Sequence, residues 1–240
     1  MLSRPLPLNG VWRFQPDLFD EGEALGYPRP DGDCRRWREA AVPGTYDQTH
    51  GGLQYYEGAA WYRRTVAVPA DWAGRRVPLR FHGVGCRARV WVNGHDAGAM
   101  PDGLLPFDLP VDALLLPGAE NVVVVRTDNR RLAGEVPGLE RGWRTFGGIL
   151  REVELVATER LYLANPVVRA DPRPDGGQLE VVAQVCNDTP GDATVCLRAR
   201  LLDPEGHVCA ERTGDAVALA AGRRLPVNLA ATAPGAQPWS

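Results

Sequence analysis

"RVWVNGHDAG", residues 89–98, is the stretch that decides the fold. With the residues just before it, Ala88, Val90 and Val92 fall on one side and Arg87, Arg89 and Trp91 on the other, the period of two that a strand imposes. Asn93-Gly94 then supplies the positive φ angles of a tight two-residue turn, so the chain doubles back. The reading is a β-hairpin. Trp91, His95 and Asp96 leave a second reading open at this point, a ligand or metal site at the bend.

The same grammar extends in both directions. Strands are predicted at 10–15, 60–69, 77–84, 86–94, 121–129 and 150–157, separated by Pro, Gly, Asp and Asn, and helical periodicity is hard to find. "VVVV" at 122–125 is apolar on both faces, as suits a central strand covered on both sides. Two long connections, 16–59 and 130–147, are rich in aromatics, Arg and Gly; loops of that length are functional or packed as caps.

A second unit is predicted to begin near "LYLANPVVRADPRPDGGQ" (161–178), where Asn-Pro and Pro-Arg-Pro-Asp-Gly-Gly read as turn punctuation. Strands are expected at 179–188, 193–206, 207–214 and 223–232, with "LLDPEGHVCA" a hairpin turning at Asp-Pro-Glu-Gly. Short strands at this spacing indicate an immunoglobulin-like sandwich lacking its last strand. The expected class is all-β: a jelly-roll sandwich over 1–160 and an immunoglobulin-like sandwich over 161–240.

Composition narrows the function classes. The 240 residues carry a formal charge of −3, so nothing general favours nucleic acid or an anionic membrane as a partner. Five scattered cysteines (Cys34, Cys86, Cys186, Cys196, Cys209) form no CxxC pair and read as free thiols of a cytoplasmic protein. The start shows no signal-peptide run and no later segment approaches a membrane span, which adds to the cytoplasmic expectation.

Catalytic signatures are sparse. Glu57, Asp102, Asp108, Glu135 and Glu140 lie in or beside loops, but no spacing ties two of them into an acid/base pair. His50, His82, His95 and His207 lack any HxH or HExxH spacing, so no metal and no cofactor is expected. No GxSxG nucleophile elbow occurs, and the short Gly pairs are not phosphate loops. What stands out is aromatic content. Trp12, Trp37, Tyr55, Tyr56, Trp61, Tyr62, Trp72, Trp91 and Trp143 all fall in the first unit, where they either fill a core or stack on sugar rings.

"LNGVWRFQPD", "VPGTYDQ" (42–48), "YYEGAAWYRRTVAVP" (55–69), "VPLRFHGVGCRARVWVNGHDAG" (77–98), "LPFDLPVDALLLPGAENVVVVRTDN" (105–129) and "GGILREVELVA" (147–157), in this order, resemble the N-terminal jelly-roll of glycoside hydrolase family two. That family holds β-galactosidases, β-glucuronidases and β-mannosidases; residues 161–240 resemble the immunoglobulin-like sandwich that follows, and "PWS" the start of its last segment. The resemblance implies retaining hydrolysis of β-glycosides by two glutamates on a (β/α)₈ barrel of about 250 residues, which these 240 residues do not contain. It therefore implies a chain with no catalytic residue of its own, supporting and rimming the barrel's site. A free-standing carbohydrate-binding module, or a structural domain of a homo-oligomer, is the alternative.

The resemblance also implies an acidic rim residue shortly before Gly147-Gly148. Counting back places it at Gly142, with Glu140 two positions away. The expected substrate-facing segment is 135–147, with Glu140, Arg141, Trp143 and Arg144 as its candidates. His95 and Asp96 are expected to face solvent, and Gly147-Gly148 to allow a close backbone passage before Arg151 enters a strand.

Overall fold

The computed structural model describes residues 5–49, 51–134, 138–140, 142, 144–173 and 176–234. The chain divides into two units, Met1–Thr158 and Glu159–Ser240. Both are built almost wholly of strands, and no helix among the described residues is long and apolar enough to cross a membrane.

The first unit is a jelly-roll β-sandwich. Its strands are β1 (Leu6–Pro7), β2 (Gly10–Asp17), β3 (Arg38–Val42), β4 (Ala59–Ala67), β5 (Pro78–Phe81), β6 (Arg87–Val92), β7 (His95–Met100), β8 (Phe107–Pro110), β9 (Glu120–Asp128) and β10 (Val153–Leu155). One antiparallel sheet runs β3-β2-β4-β9-β6-β7 and the other β1-β10-β5-β8. Between them lies the main core, with Trp12, Phe14, Tyr62, Val90, Val92, Val123 and Val125 from the larger sheet and Leu79, Phe81, Val153 and Leu155 from the smaller. Phe107, brought in after Pro106, stacks on Phe81 at 5.0 Å.

The opening hairpin is β6–β7. Asn93 and Gly94 adopt φ of 52° and 82°, and Val92 faces His95 across the two-residue turn. Asn93 does more than turn the chain. Its Nδ2 donates to Leu114 O (2.9 Å) and Asn121 Oδ1 (2.8 Å), and its Oδ1 accepts from Val122 N (2.9 Å). Asn121 is fully buried and spans Leu116 and Ala119, so the hairpin tip and the entry of the valine strand form one polar joint. His95 and Asp96 are exposed, and Asp96 pairs with Arg89 at 2.7 Å.

Both faces of the large sheet are covered, as the valine run requires. Val124, Trp61, Trp91 and Trp37 form a second apolar cluster on the face away from the main core, with Tyr27 and Cys34 packed against it. Trp61 stacks on Trp91 at 5.2 Å, and Arg89 lies 5.0 Å from the Trp91 ring centroid. The long 16–59 connection therefore holds a cap over this cluster, strand β3 and, beyond it, two short helical turns at Tyr46–Thr49 and Gly51–Leu53. Asp17 holds the cap, accepting from Trp61 Nε1 (2.8 Å), Glu21 N (2.9 Å) and Gly22 N (2.9 Å), while buried Arg63 donates to the carbonyls of Arg29 and Pro30.

The second unit contains, among the described residues, seven strands: β11 (Leu161–Arg173), β12 (Gly176–Asn187), β13 (Ala193–Val195), β14 (Arg198–Leu202), β15 (Val208–Thr213), β16 (Val217–Leu219) and β17 (Arg224–Pro234). β12 pairs with β11 and β17, which puts Leu179, Val181, Ala183 and Val185 opposite Ala231, Leu229, Val227 and Leu225 on one apolar face. β14–β15 is the expected Asp-Pro-Glu-Gly hairpin, closed by Gly206 N to Asp203 O at 3.0 Å. Two readings are corrected. Asn165-Pro166, read as turn punctuation, lies inside a strand that runs from Leu161 to Arg173, with the ladder shifting register between Ala164 and Val167. Arg151 stands in a bend, and the strand begins at Val153.

Replacing Asp17 with Ala removes three bonds at the root of the cap, and a cost of about 2–3 kcal/mol is expected. Limited proteolysis with trypsin should then cut after Arg35 and Arg36 faster while the sheet core stays intact. Unchanged cleavage would show that the cap is held by other contacts.

Candidate functional site

At its far end β9 finishes in Thr127-Asp128 and Asn129 follows it, and all three side chains are buried polar groups. Such groups persist only when their hydrogen bonds are met. Asn129 meets its own by joining two loops. Its Oδ1 accepts from Gly58 N (2.9 Å), and its Nδ2 donates to Tyr56 O and Thr145 O (both 3.1 Å). The segments at Tyr56–Gly58 and Thr145 are thereby held side by side.

Asp128 sets the direction in which the chain leaves the sheet. Its carboxylate pairs with Arg87 (3.2 Å), Arg126 (3.2 Å) and Arg130, whose backbone N–H it also accepts at 3.0 Å. Burial pushes this carboxyl up, but hydrogen bonds and charge from Arg130 and Arg126 win and hold it at about 2. Arg126 and Arg130 also reach Asp20, at 2.6 and 3.0 Å, which ties the outer cap to the same cluster.

Between the loops lies a pocket of about 310 Å³, with Gln54–Glu57 on one wall and Arg131, Gly142, Arg144 and Thr145 on the other. Tyr56 is fixed: its hydroxyl lies 2.6 Å from Ala59 O and 3.0 Å from Asp17 O, and burial together with Asp17 pushes its pKa up to about 12. Tyr55 is 81% exposed and offers a free ring. Arg131 pairs with Glu57 at 2.9 Å. Arg144 pairs with Asp47 (3.0 Å), donates to Gln54 O (3.0 Å), and has its guanidinium 5.3 Å from the Phe146 ring centroid. An exposed aromatic face beside guanidinium donors and carboxylate acceptors is chemistry that suits a polyhydroxylated ring.

The four sequence candidates separate. Arg144 lines the pocket, Glu140 is exposed and does not line it, and Arg141 and Trp143 lie outside the described residues. Gly142, the position where an acid is expected, lines the pocket, and a Cβ there would meet nothing within 4 Å. Asp47, in "VPGTYDQ", was not among the candidates, because only its pairing with Arg144 brings it to the site. Glu57 and Asp108, considered as free carboxylates, are paired with Arg131 and Arg80; Glu135 and His50 lie outside the described residues. Among the described residues no three His, Cys, Asp or Glu side chains are grouped to hold a metal ion.

Gly147-Gly148, just after the pocket residue Thr145, is a packing requirement. A Cβ on Gly147 would fall 1.9 Å from the Tyr46 hydroxyl, and Gly148 adopts φ of +126° with Gly44 O 2.7 Å from its Cβ position. Backbone bonds from Gly44 to Ile149 (2.8 Å) and Tyr46 to Gly147 (3.1 Å) need that approach.

Comparison with known proteins places these features in a family. A family model described as "Glycosyl hydrolases family 2, sugar binding domain" matches residues 6–159. The chain is 26% identical over 229 residues to a β-glucuronidase of Paenibacillus borealis, covering 86% of this chain and 37% of that protein. It is 29% identical over 170 residues to a β-glucuronidase of Bacteroides fragilis, covering 71% of this chain and 23% of the other. Among solved structures, a Bacteroides uniformis β-glucuronidase superposes with a TM-score of 0.87 at 21% identity, over 99% of this chain and 28% of that one. The chain thus spans little more than a third, or less, of the relatives it matches.

Two outcomes are expected. Gly147→Ala should destabilise by about 1–3 kcal/mol through overpacking against Tyr46, read as a lowered Tm. Asp128 has a folded pKa below its unfolded value of about 3.9, so its contribution is complete above that value and fades as pH falls toward about 2. Acid titration of Asp128→Asn should therefore lack part of the wild-type stability loss in that window, starting from a protein about 2–3 kcal/mol less stable at neutral pH.

Proposed function

Since the chain belongs to glycosyl hydrolase family 2, we propose that it is the N-terminal, non-catalytic portion of a retaining β-glycosidase of the glucuronidase and galactosidase kind. In this reading the first unit rims the active site of a (β/α)₈ barrel with the loops joined by Asn129, and the second unit is an immunoglobulin-like sandwich. The observation that carries the proposal is the pocket itself. It lies on the loop pair that precedes Gly147-Gly148, within the matched sugar-binding domain, and combines an open Tyr55 ring with Arg131, Arg144 and Glu57. A carbohydrate is accordingly the ligand class. The parent enzyme is proposed to be cytoplasmic and homo-oligomeric; cysteines in no disulfide among the described residues support the first point.

The test is turnover. The 240-residue chain should hydrolyse none of the aryl β-glucuronide, β-galactoside or β-mannoside substrates, whereas a longer product of the same gene carrying the barrel should hydrolyse at least one with retention. Hydrolysis by the purified chain, or a barrel-containing product that cleaves no β-glycoside, would overturn the proposal.

A further inference from the structure

Among the described residues, each cation on the pocket wall has a carboxylate of its own. Arg131 is 2.9 Å from Glu57 and Arg144 is 3.0 Å from Asp47. The Asp47 side chain is only 8% exposed, and its Oδ1 is buried with no hydrogen-bond partner among the described residues; Thr145 Oγ1 is in the same condition. A buried carboxylate with one oxygen unmet is costly, so its pairing with Arg144 is the contact that offsets its burial. Arg144 in turn is fixed at both ends, by Asp47 and by Gln54 O, while 38% of its side chain stays open and the described residues take up only two of its five N–H donors.

This arrangement discriminates between two kinds of sugar. A ring hydroxyl both donates and accepts, so neighbouring hydroxyls can meet a guanidinium N–H and the Glu57 carboxylate together. A ring carboxylate only accepts. It would find both guanidinium charges already neutralised, and in approaching either it would approach Glu57 or Asp47, a like charge. The volume of about 310 Å³ lies at the lower end for small-molecule sites and fits one ring, whose C–H face can lie on Tyr55.

The geometry points to Arg144, held by Asp47 as its positioning residue, as the side chain that selects a neutral pyranose over a uronate in this pocket. The inference rests on the sugar-rimming role proposed above and adds the substrate class that the rim accepts. Asp47 acts through Arg144 by cancelling its charge and fixing its plane.

The probes are methyl β-glucopyranoside and methyl β-glucopyranosiduronate, which differ only at C6, titrated into the 240-residue chain by ligand-observed NMR. The neutral glycoside should bind in the millimolar range, with the uronide at least about fivefold weaker. Asp47→Asn leaves Arg144 charged and uncompensated. It should move the neutral-to-uronide ratio toward the uronide by about tenfold at low salt, and the shift should vanish at about 0.5 M salt. A merely structural role for Asp47 would weaken both ligands alike. Arg144→Gln should lose at least about fivefold in affinity for the neutral glycoside. If Asp47→Asn does not fold, Arg144→Gln decides alone: lost neutral binding supports the inference and retained binding overturns it. A wild-type preference for the uronide, an unmoved ratio in folded Asp47→Asn, or no neutral binding up to about 50 mM would also overturn it. Turnover by the barrel-containing product is measured separately, so failure of selectivity alone leaves the family role standing.

Discussion

The first unit depends on burying both faces of β9. Val123 and Val125 point into the sandwich and Val124 points out of it, and all three are fully buried. A jelly-roll sheet can leave its outer face to solvent, and this one cannot, because Trp61 and Trp91 flank Val124 on that side. The burial of so much aromatic surface, at about 2–3 kcal/mol for each large side chain, commits the chain to provide a cover. The 18–37 segment is that cover, and Asp17 is the point where it is fastened to the sheet.

The same strand delivers the pocket. Its entry is fixed by the Asn93–Asn121 joint and its exit by Asp128 and Asn129, so the strand is held by buried polar groups at both ends and by apolar packing along its length. Packing sets how firmly the strand is held; directional bonds set where its ends aim. Asp128 takes up Arg87 from β6, Arg126 from β9 and Arg130 from the departing chain, and Asp20 links that cluster to the cap. Cap and pocket loops are therefore coupled through one group of charges on one face of the sheet.

What was legible in the sequence follows from this. The hairpin at 89–98 and the valine strand show in the alternation because burial on known faces imposes a period, and Asn-Gly because few residues tolerate the turn. The glycine pair before Ile149 was legible as a close approach, and Tyr46 is what it approaches. The cap was visible only as a long aromatic loop, since its hold on the sheet is a set of bonds to Asp17 with no period. β11 was misread because Pro166 normally argues against a strand, and a register shift absorbs it here.

The pocket was least legible, for a physical reason. Arg144 was recognisable as one of a cluster of loop residues, but its role is set by Asp47, which stands far earlier in the chain and in a stretch read as scaffold. Periodicity reports which residues a sheet buries; it carries no information on which charges two loops bring together. Here that pairing is the chemistry: a guanidinium matched by a buried carboxylate is a hydrogen-bond donor with its charge cancelled, and a free guanidinium would be an anion site. The proposed distinction between a neutral and an acidic sugar therefore rests on a contact between the two loops that flank β4 and β9, which the all-β frame brings within reach of each other.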